Sequence, residues 1–168
     1  MDILALDLGT KTGYAYNKGE NFYCATLELA SAREIRDWGR DRQRRTRDPR
    51  IERLCETVTR FGRFDIVVFE DVEFASSTYQ VQLWSSLRAA IWICAAGAHF
   101  DCVPVGTLKK FATGSGTATK EAMKRFAKKT PLFPTHRALI PFESLDDNAI
   151  DSAWAWAWAK ETFARMKI

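Results

Sequence analysis

Four carboxylates, Asp7, Glu70, Asp147 and Asp151, stand in surroundings that call for chemistry. Asp7 lies in Ile3-Leu4-Ala5-Leu6-Asp7-Leu8, a near-continuous apolar run too short for a helix and read as a strand buried on both faces. An ionised side chain there is costly unless a cation or several donors meet it, so nucleotide binding, metal binding and an internal ion pair are all open for Asp7. Glu70 ends a second such run, Phe64-Asp65-Ile66-Val67-Val68-Phe69-Glu70, with Asp71 and Glu73 close behind. Asp147 and Asp151 open the last apolar segment, where helical spacing puts them on one face with Trp154 and Trp158. The four acids converge if the two strands are neighbours and that helix packs on them. Hard oxygen ligands without His or Cys clusters point to Mg2+ or Mn2+ rather than zinc. Two such ions would activate water and stabilise the leaving oxygen in phosphodiester hydrolysis. The plain alternative, caps and surface charges, suits Asp146 and Asp147 but not Asp7 and Glu70.

The elements that must position these acids follow from pattern. Residues Tyr14 to Tyr16 and Phe22 to Leu29, separated by Gly19-Glu20-Asn21, complete three antiparallel strands with the first, and Gly9 and Gly13 permit a tight turn and close backbone approach. Ser31 is placed to cap a helix carrying Ile35, Trp38, Ile51, Leu54, Val58 and Phe61, reset near Asp48-Pro49 and stopped at Gly62. The arginines of this stretch are expected on its outer side or at the interruption. Leu83, Trp84, Leu87, Ala90, Ile91 and Cys94 recur at helical intervals between Tyr79 and Gly97. Cys102 to Val105 reads as a short strand whose Pro104 suits a sheet edge or a strand start. Thr107 is placed to cap a helical turn with Lys109 and Lys110, and Thr119 a helix from Lys120 to Lys129. Pro131, Pro134 and Pro141 mark a loop, with His136 an ordinary member of it. The final helix runs to about Met166, its Trp156 pointing away from Trp154 and Trp158.

At 168 residues and 46% hydrophobic, the chain suits a single domain, residues 1–168, built on one ordinary core. No basic and apolar leader opens the sequence and no window is apolar enough to span a bilayer. The four cysteines lack C-x-x-C spacing, which fits reduced thiols and a cytoplasmic location. Net charge is only +4, yet nine arginines, Arg44 and Arg45 among them, lie between Arg33 and Arg53 against five acids. A second basic group comprises Lys109, Lys110, Lys120, Lys124, Arg125, Lys128 and Lys129. Two basic surfaces suit a polyanion such as DNA or RNA, although a solvated helix face laced with ion pairs explains the first group equally well.

Taken together, these stretches resemble the RuvC family of Holliday junction resolvases, within the RNase H-like nucleases. The resemblance rests on Leu6-Asp7-Leu8-Gly9-Thr10-Lys11-Thr12-Gly13-Tyr14, on Phe69-Glu70-Asp71-Val72, and on the acidic start of the last helix. It rests most specifically on Leu108 to Glu121, a lysine, glycine-x-glycine, lysine segment. It implies an α/β fold with a five-stranded mixed sheet flanked by helices, a homodimer, and Mg2+-dependent symmetric nicking of four-way DNA junctions. Asp7, Glu70 and Asp151 would hold the metals. For the fourth ligand, the family's three-residue spacing points to Asn148, while chemistry prefers the carboxylate Asp147. Lys120 and Lys109 match lysines that help neutralise the scissile phosphate, and Phe74 resembles an aromatic that stacks on opened bases. A two-fold pair of sites suits a junction that presents two equivalent strands, with the Tyr79 to Ala96 helix as the candidate interface. The competing readings are a YqgF-type RNA-processing nuclease, an actin-like ATPase, for which one short domain lacks the second lobe, and a catalytically silent module that only binds branched DNA.

Overall fold

The computed structural model describes residues 1–40, 47–71, 77–130 and 144–165. Five strands form one mixed sheet in the order β3-β2-β1-β4-β5, from β1 (Ile3–Asp7), β2 (Lys11–Lys18), β3 (Asn21–Glu28), β4 (Ile66–Asp71) and β5 (His99–Pro104). β1, β2 and β3 pair antiparallel, as their alternating residues and turn glycine predict, while β1 pairs parallel with β4 and β4 with β5. The α/β architecture expected from the sequence is therefore present, with Pro104 ending the edge strand β5 rather than opening it.

Helices cover both faces. On one lie α2 (Pro49–Phe61) and α3 (Thr78–Cys94), which follow α1 (Ala32–Arg40) and bury Leu54, Val58, Leu83, Leu87 and Ile91 against Leu4, Leu6, Val67 and Phe69. On the other lie α4 (Val105–Thr113), α5 (Lys120–Ala127) and α6 (Asp147–Arg165), packed on Ile3, Ala5, Val68 and Val103. A strand buried on both faces needs apolar residues at every position, which explains the unbroken runs of β1 and β4.

Local chemistry sets the helix ends. Ser31 and Glu34 form a reciprocal capping box at α1, the Glu34 N–H donating to Ser31 Oγ at 3.2 Å and the Ser31 N–H to Glu34 Oε2 at 2.8 Å. Asp48 caps α2 with Pro49 in the first turn, and Gly62 ends it at φ 83°. Thr119 caps α5. Thr107, by contrast, lies inside α4, which starts behind Pro104 without a side-chain cap. α6 is buried through its middle, Ser152 to Ala157, with Trp154 donating to the Met123 carbonyl at 3.1 Å on the α5 side and Trp156 to Asn17 Oδ1 at 3.0 Å on the β2 side. The two indoles do diverge, and both end in one core.

One expectation fails outright. Arg50 is not on an outer basic face but is 1% exposed, forked onto Asp48 and bonded to Thr10 and Tyr79. All four cysteines are free thiols. No helix among the described residues is long and apolar enough to cross a membrane.

Candidate active site

Strand alternation decides where the acids point. Ile3 and Ala5 face α6, as do Ile66 and Val68, so Asp7 and Glu70, the next residues of the same parity, face it too. The parallel register sets Leu6 opposite Phe69, which brings the two carboxylates to the same end of neighbouring strands. The start of α6 then closes on them. Gly13, opposite Asp7 in β2, makes this approach possible: a Cβ there would lie 1.9 Å from the Asn148 carbonyl oxygen. Gly13 is thus a place of close packing inside a strand rather than part of a turn.

The result is an open cleft of about 320 Å³ lined by Asp7, Glu70, Asn148, Asp151, Lys109 and Lys120. Leu8, Trp84, Val105 and Met123 supply its apolar walls. The glycine-x-glycine segment brings the two lysines together. Gly114 ends α4 in the left-handed region at φ 84°, and Gly116 backs onto Gly106, where a Cβ would come within 3.3 Å of the Gly106 carbonyl. The chain so reversed returns α5, with Lys120 at its start, alongside α4.

Asp7, Glu70 and Asp151 are half-buried, and among the described residues none of their carboxylates has a hydrogen-bond or ion-pair partner. Burial and the neighbouring Asp151 push Asp7 up to about 7, with Lys120 pulling the other way. Glu70 is pushed to about 8 by burial and by Asp7 and Asp151, against Lys109 and Lys120. Burial, countered by Lys120, takes Asp151 to about 6. Three acids that resist sharing negative charge have the oxygen chemistry that a hard cation favours. They stand around the cleft rather than in a closed cage, since no three His, Cys, Asp or Glu side chains are drawn tightly together among the described residues.

The neighbours sort differently. Asp146 caps α6, accepting from the Ala149 N–H at 3.0 Å and from the Thr26 hydroxyl. Asp147 is exposed at the rim, 3.6 Å from Lys120 Nζ, whereas Asn148 lines the cleft. Lys110 is exposed beside Lys109, and Lys124 donates to the Leu145 carbonyl at 2.7 Å, tying α5 to the approach of α6. Phe74, Arg44, Arg45 and His136 lie outside the described residues. Sequence reasoning missed Arg88, which pairs with Asp71 Oδ1 at 2.9 Å and reaches the Glu70 carbonyl at 3.5 Å. Its place on α3, facing the strand rather than solvent, has no signature in a helix that is apolar nearly all round.

No protein-family model matches the sequence, and no curated protein does. Solved structures do. The chain is similar to Thermus thermophilus RuvC in complex with a Holliday junction substrate, at TM-score 0.67 and 18% identity, covering 99% of this chain and 96% of that one. The fold is that of RuvC. A second Thermus thermophilus RuvC structure matches at TM-score 0.57 and 18% identity over 97% of each chain. The yeast mitochondrial Holliday junction resolvase Ydc2 matches at 0.56 and 14%, over 98% of this chain and 83% of that one. The RuvC resemblance carried by a few short stretches thus extends to the course of the whole backbone.

Proposed function

We propose that this chain is a divalent-cation-dependent endonuclease that resolves four-way DNA junctions by symmetric phosphodiester hydrolysis, with residues 1–168 acting as one nuclease domain. The observation that carries the reading is the cleft itself: three carboxylates from β1, β4 and α6, without hydrogen-bond partners among the described residues, face two lysines from α4 and α5. The RuvC likeness supplies the substrate class, because one of the matched structures is a complex with a Holliday junction substrate.

In this reading Asp7, Glu70 and Asp151 hold Mg2+ or Mn2+, two ions per site, and α6 contributes a fourth group. Asn148 is the better placed, because it lines the cleft while Asp147 engages Lys120 at the rim. The ions supply Lewis acidity at the scissile phosphate and lower the pKa of water. The chain does the rest. Lys109 and Lys120 place positive charge where negative charge grows on the phosphoryl oxygens, and the apolar walls limit access of bulk water. Asp147 holds the Lys120 ammonium at the rim, where a phosphate displaces it.

A homodimer supplies two such clefts. Its basis is α3, where Val81, Trp92 and Ile93 are 49%, 52% and 78% exposed on the side away from the core, leaving apolar surface for a second copy. Phe74 stacks on opened bases, and Lys110, Arg44 and Arg45 contact phosphates.

The test is direct. Pure protein and Asp7→Asn are incubated with a four-way junction, a fork and a linear duplex, with and without Mg2+. Paired nicks in the junction that need both Mg2+ and Asp7 are the expected result. Undiminished cutting by Asp7→Asn overturns the mechanism, and equal cutting of linear duplex overturns the junction assignment.

A further inference from the structure

Both acid-bearing strands leave the sheet at the cleft, and both exits are tied to α3 by arginine. β1 exits through Leu8 to Thr10. There Arg50, 1% exposed on α2, donates from its NH1 to Thr10 Oγ1 at 3.1 Å and from its NH2 to the Tyr79 hydroxyl at 2.7 Å. Its Nε and NH2 are held by both oxygens of Asp48, at 3.0 and 2.7 Å. The guanidinium is therefore a fixed fork between the turn behind Asp7 and the first turn of α3. β4 exits through Glu70 and Asp71. There Arg88, further along α3, pairs with Asp71 at 2.9 Å, reaches the Glu70 carbonyl and lies 5.1 Å from the Phe69 ring centroid. A second brace stiffens the first exit: Thr12 Oγ1 donates to the Gly9 carbonyl at 2.8 Å and accepts from the Gly9 N–H at 3.2 Å.

We propose that Arg50 and Arg88 are positioning residues which register Asp7 and Glu70 against each other through α3. Neither arginine lines the cleft: Arg50 bonds the Thr10 hydroxyl behind Asp7, and Arg88 bonds Asp71 and the Glu70 carbonyl. The β1–β4 pairing itself ends at Leu6 and Phe69, so no ladder of their own registers Asp7 against Glu70, and α3 supplies the common reference. The inference rests on the nuclease reading above.

Arg50→Ala removes the bonds to Asp48, Thr10 and Tyr79 together, so the test removes single bonds instead: Thr10→Val, Tyr79→Phe and Arg88→Gln, with the exposed Arg60→Ala as control. Mn2+ affinity is read by calorimetry, and kcat and KM on a four-way junction are read alongside thermal melting. Expected are an approximately tenfold weakening of Mn2+ binding and a similar fall in kcat at near-constant KM for Arg88→Gln, within the range seen when supports of a metal site are lost. Thr10→Val and Tyr79→Phe are expected to give smaller losses that are not additive with each other, because both act through Arg50. Wild-type Mn2+ affinity and kcat in all three variants, or a lowered melting temperature with no change in either, overturns the proposal. Asp7→Asn separates the two claims: if it still cuts, the nuclease reading fails, whereas if it is dead and the three variants behave as wild type, only the positioning claim does.

Discussion

Asp7, Glu70 and Asp151 keep their protons in the folded, cation-free protein to about pH 7, 8 and 6. In the unfolded chain such groups lose them at about pH 4. The folded state then binds more protons than the unfolded one across that window, so the stability these three groups contribute is full below about pH 4 and is lost as pH rises towards 8. Asp2 and Glu34, whose carboxyls are held low, act below the window and in the opposite sense. In chelator the melting temperature is therefore expected to fall from pH 5 to pH 8, with Asp7→Asn shrinking the fall and excess Mg2+ abolishing it. A flat profile in chelator contradicts the charge crowding on which the site rests. Gly13 makes a second prediction: Gly13→Ala drives a methyl into the Asn148 carbonyl and is expected to cost at least the ~1–3 kcal/mol of an overpacked site, read by urea denaturation, along with Mn2+ binding. The acids were legible from sequence because an ionisable group in an apolar strand announces itself. Gly13 was legible only as a glycine that needed room, since its partner comes from the far end of the chain. Arg50 was misread because, by composition, it is one arginine in a run of nine.

Among the elements, β1 to β4 and the capping residues Ser31 and Thr119 could be read directly, because apolar runs, alternation and capping side chains are local signals, whereas β5 begins at His99, three residues before the Cys102 to Val105 reading. The start of α4 could not, as it has no capping side chain and Thr107 offers a false one. In α6 the Trp154 and Trp156 indoles each have their own polar acceptor, and the alanines between them are buried against the sheet. Asn17 anchors one of these. Its Oδ1 accepts from the Ile3 N–H and Trp156 Nε1, and its Nδ2 donates to the Met1 and Gly19 carbonyls. Asn17→Ala is expected to cost roughly 2–4 kcal/mol by leaving buried donors unpaired. Because this hub lies at the end of β1 remote from Asp7, Mn2+ affinity at low temperature is expected to stay at the wild-type value. A loss of affinity matching the loss of stability shows that the two ends of the sheet are not independent.

At the scale of the molecule, the fold separates its tasks by face. The α4–α5–α6 face builds the cleft, while the α2–α3 face carries apolar surface suited to a second copy. Ile93→Glu is expected to give a monomer in sedimentation at micromolar concentration and to convert paired cuts into single nicks, leaving each cleft able to bind Mn2+. A dimer that survives this change places the interface elsewhere. Symmetric assembly is invisible in one sequence except as an unexplained apolar helix face, which is why Trp92 and Ile93 become informative only once their exposure is known.

The contact between α6 and the first strands also bears on the order of events during synthesis. Asn17 and Trp156, bonded in the finished protein, are 139 residues apart. A growing chain that has emitted β1 to β5 already carries Asp7 and Glu70 but has nothing to cover Ala5 and Val68, and no Asp151. The cleft therefore comes into being only when the last helix docks. A ribosome-bound or prematurely ended chain offers chaperones an uncovered sheet face and lacks the third carboxylate, so the cleft is completed in one late step rather than by degrees.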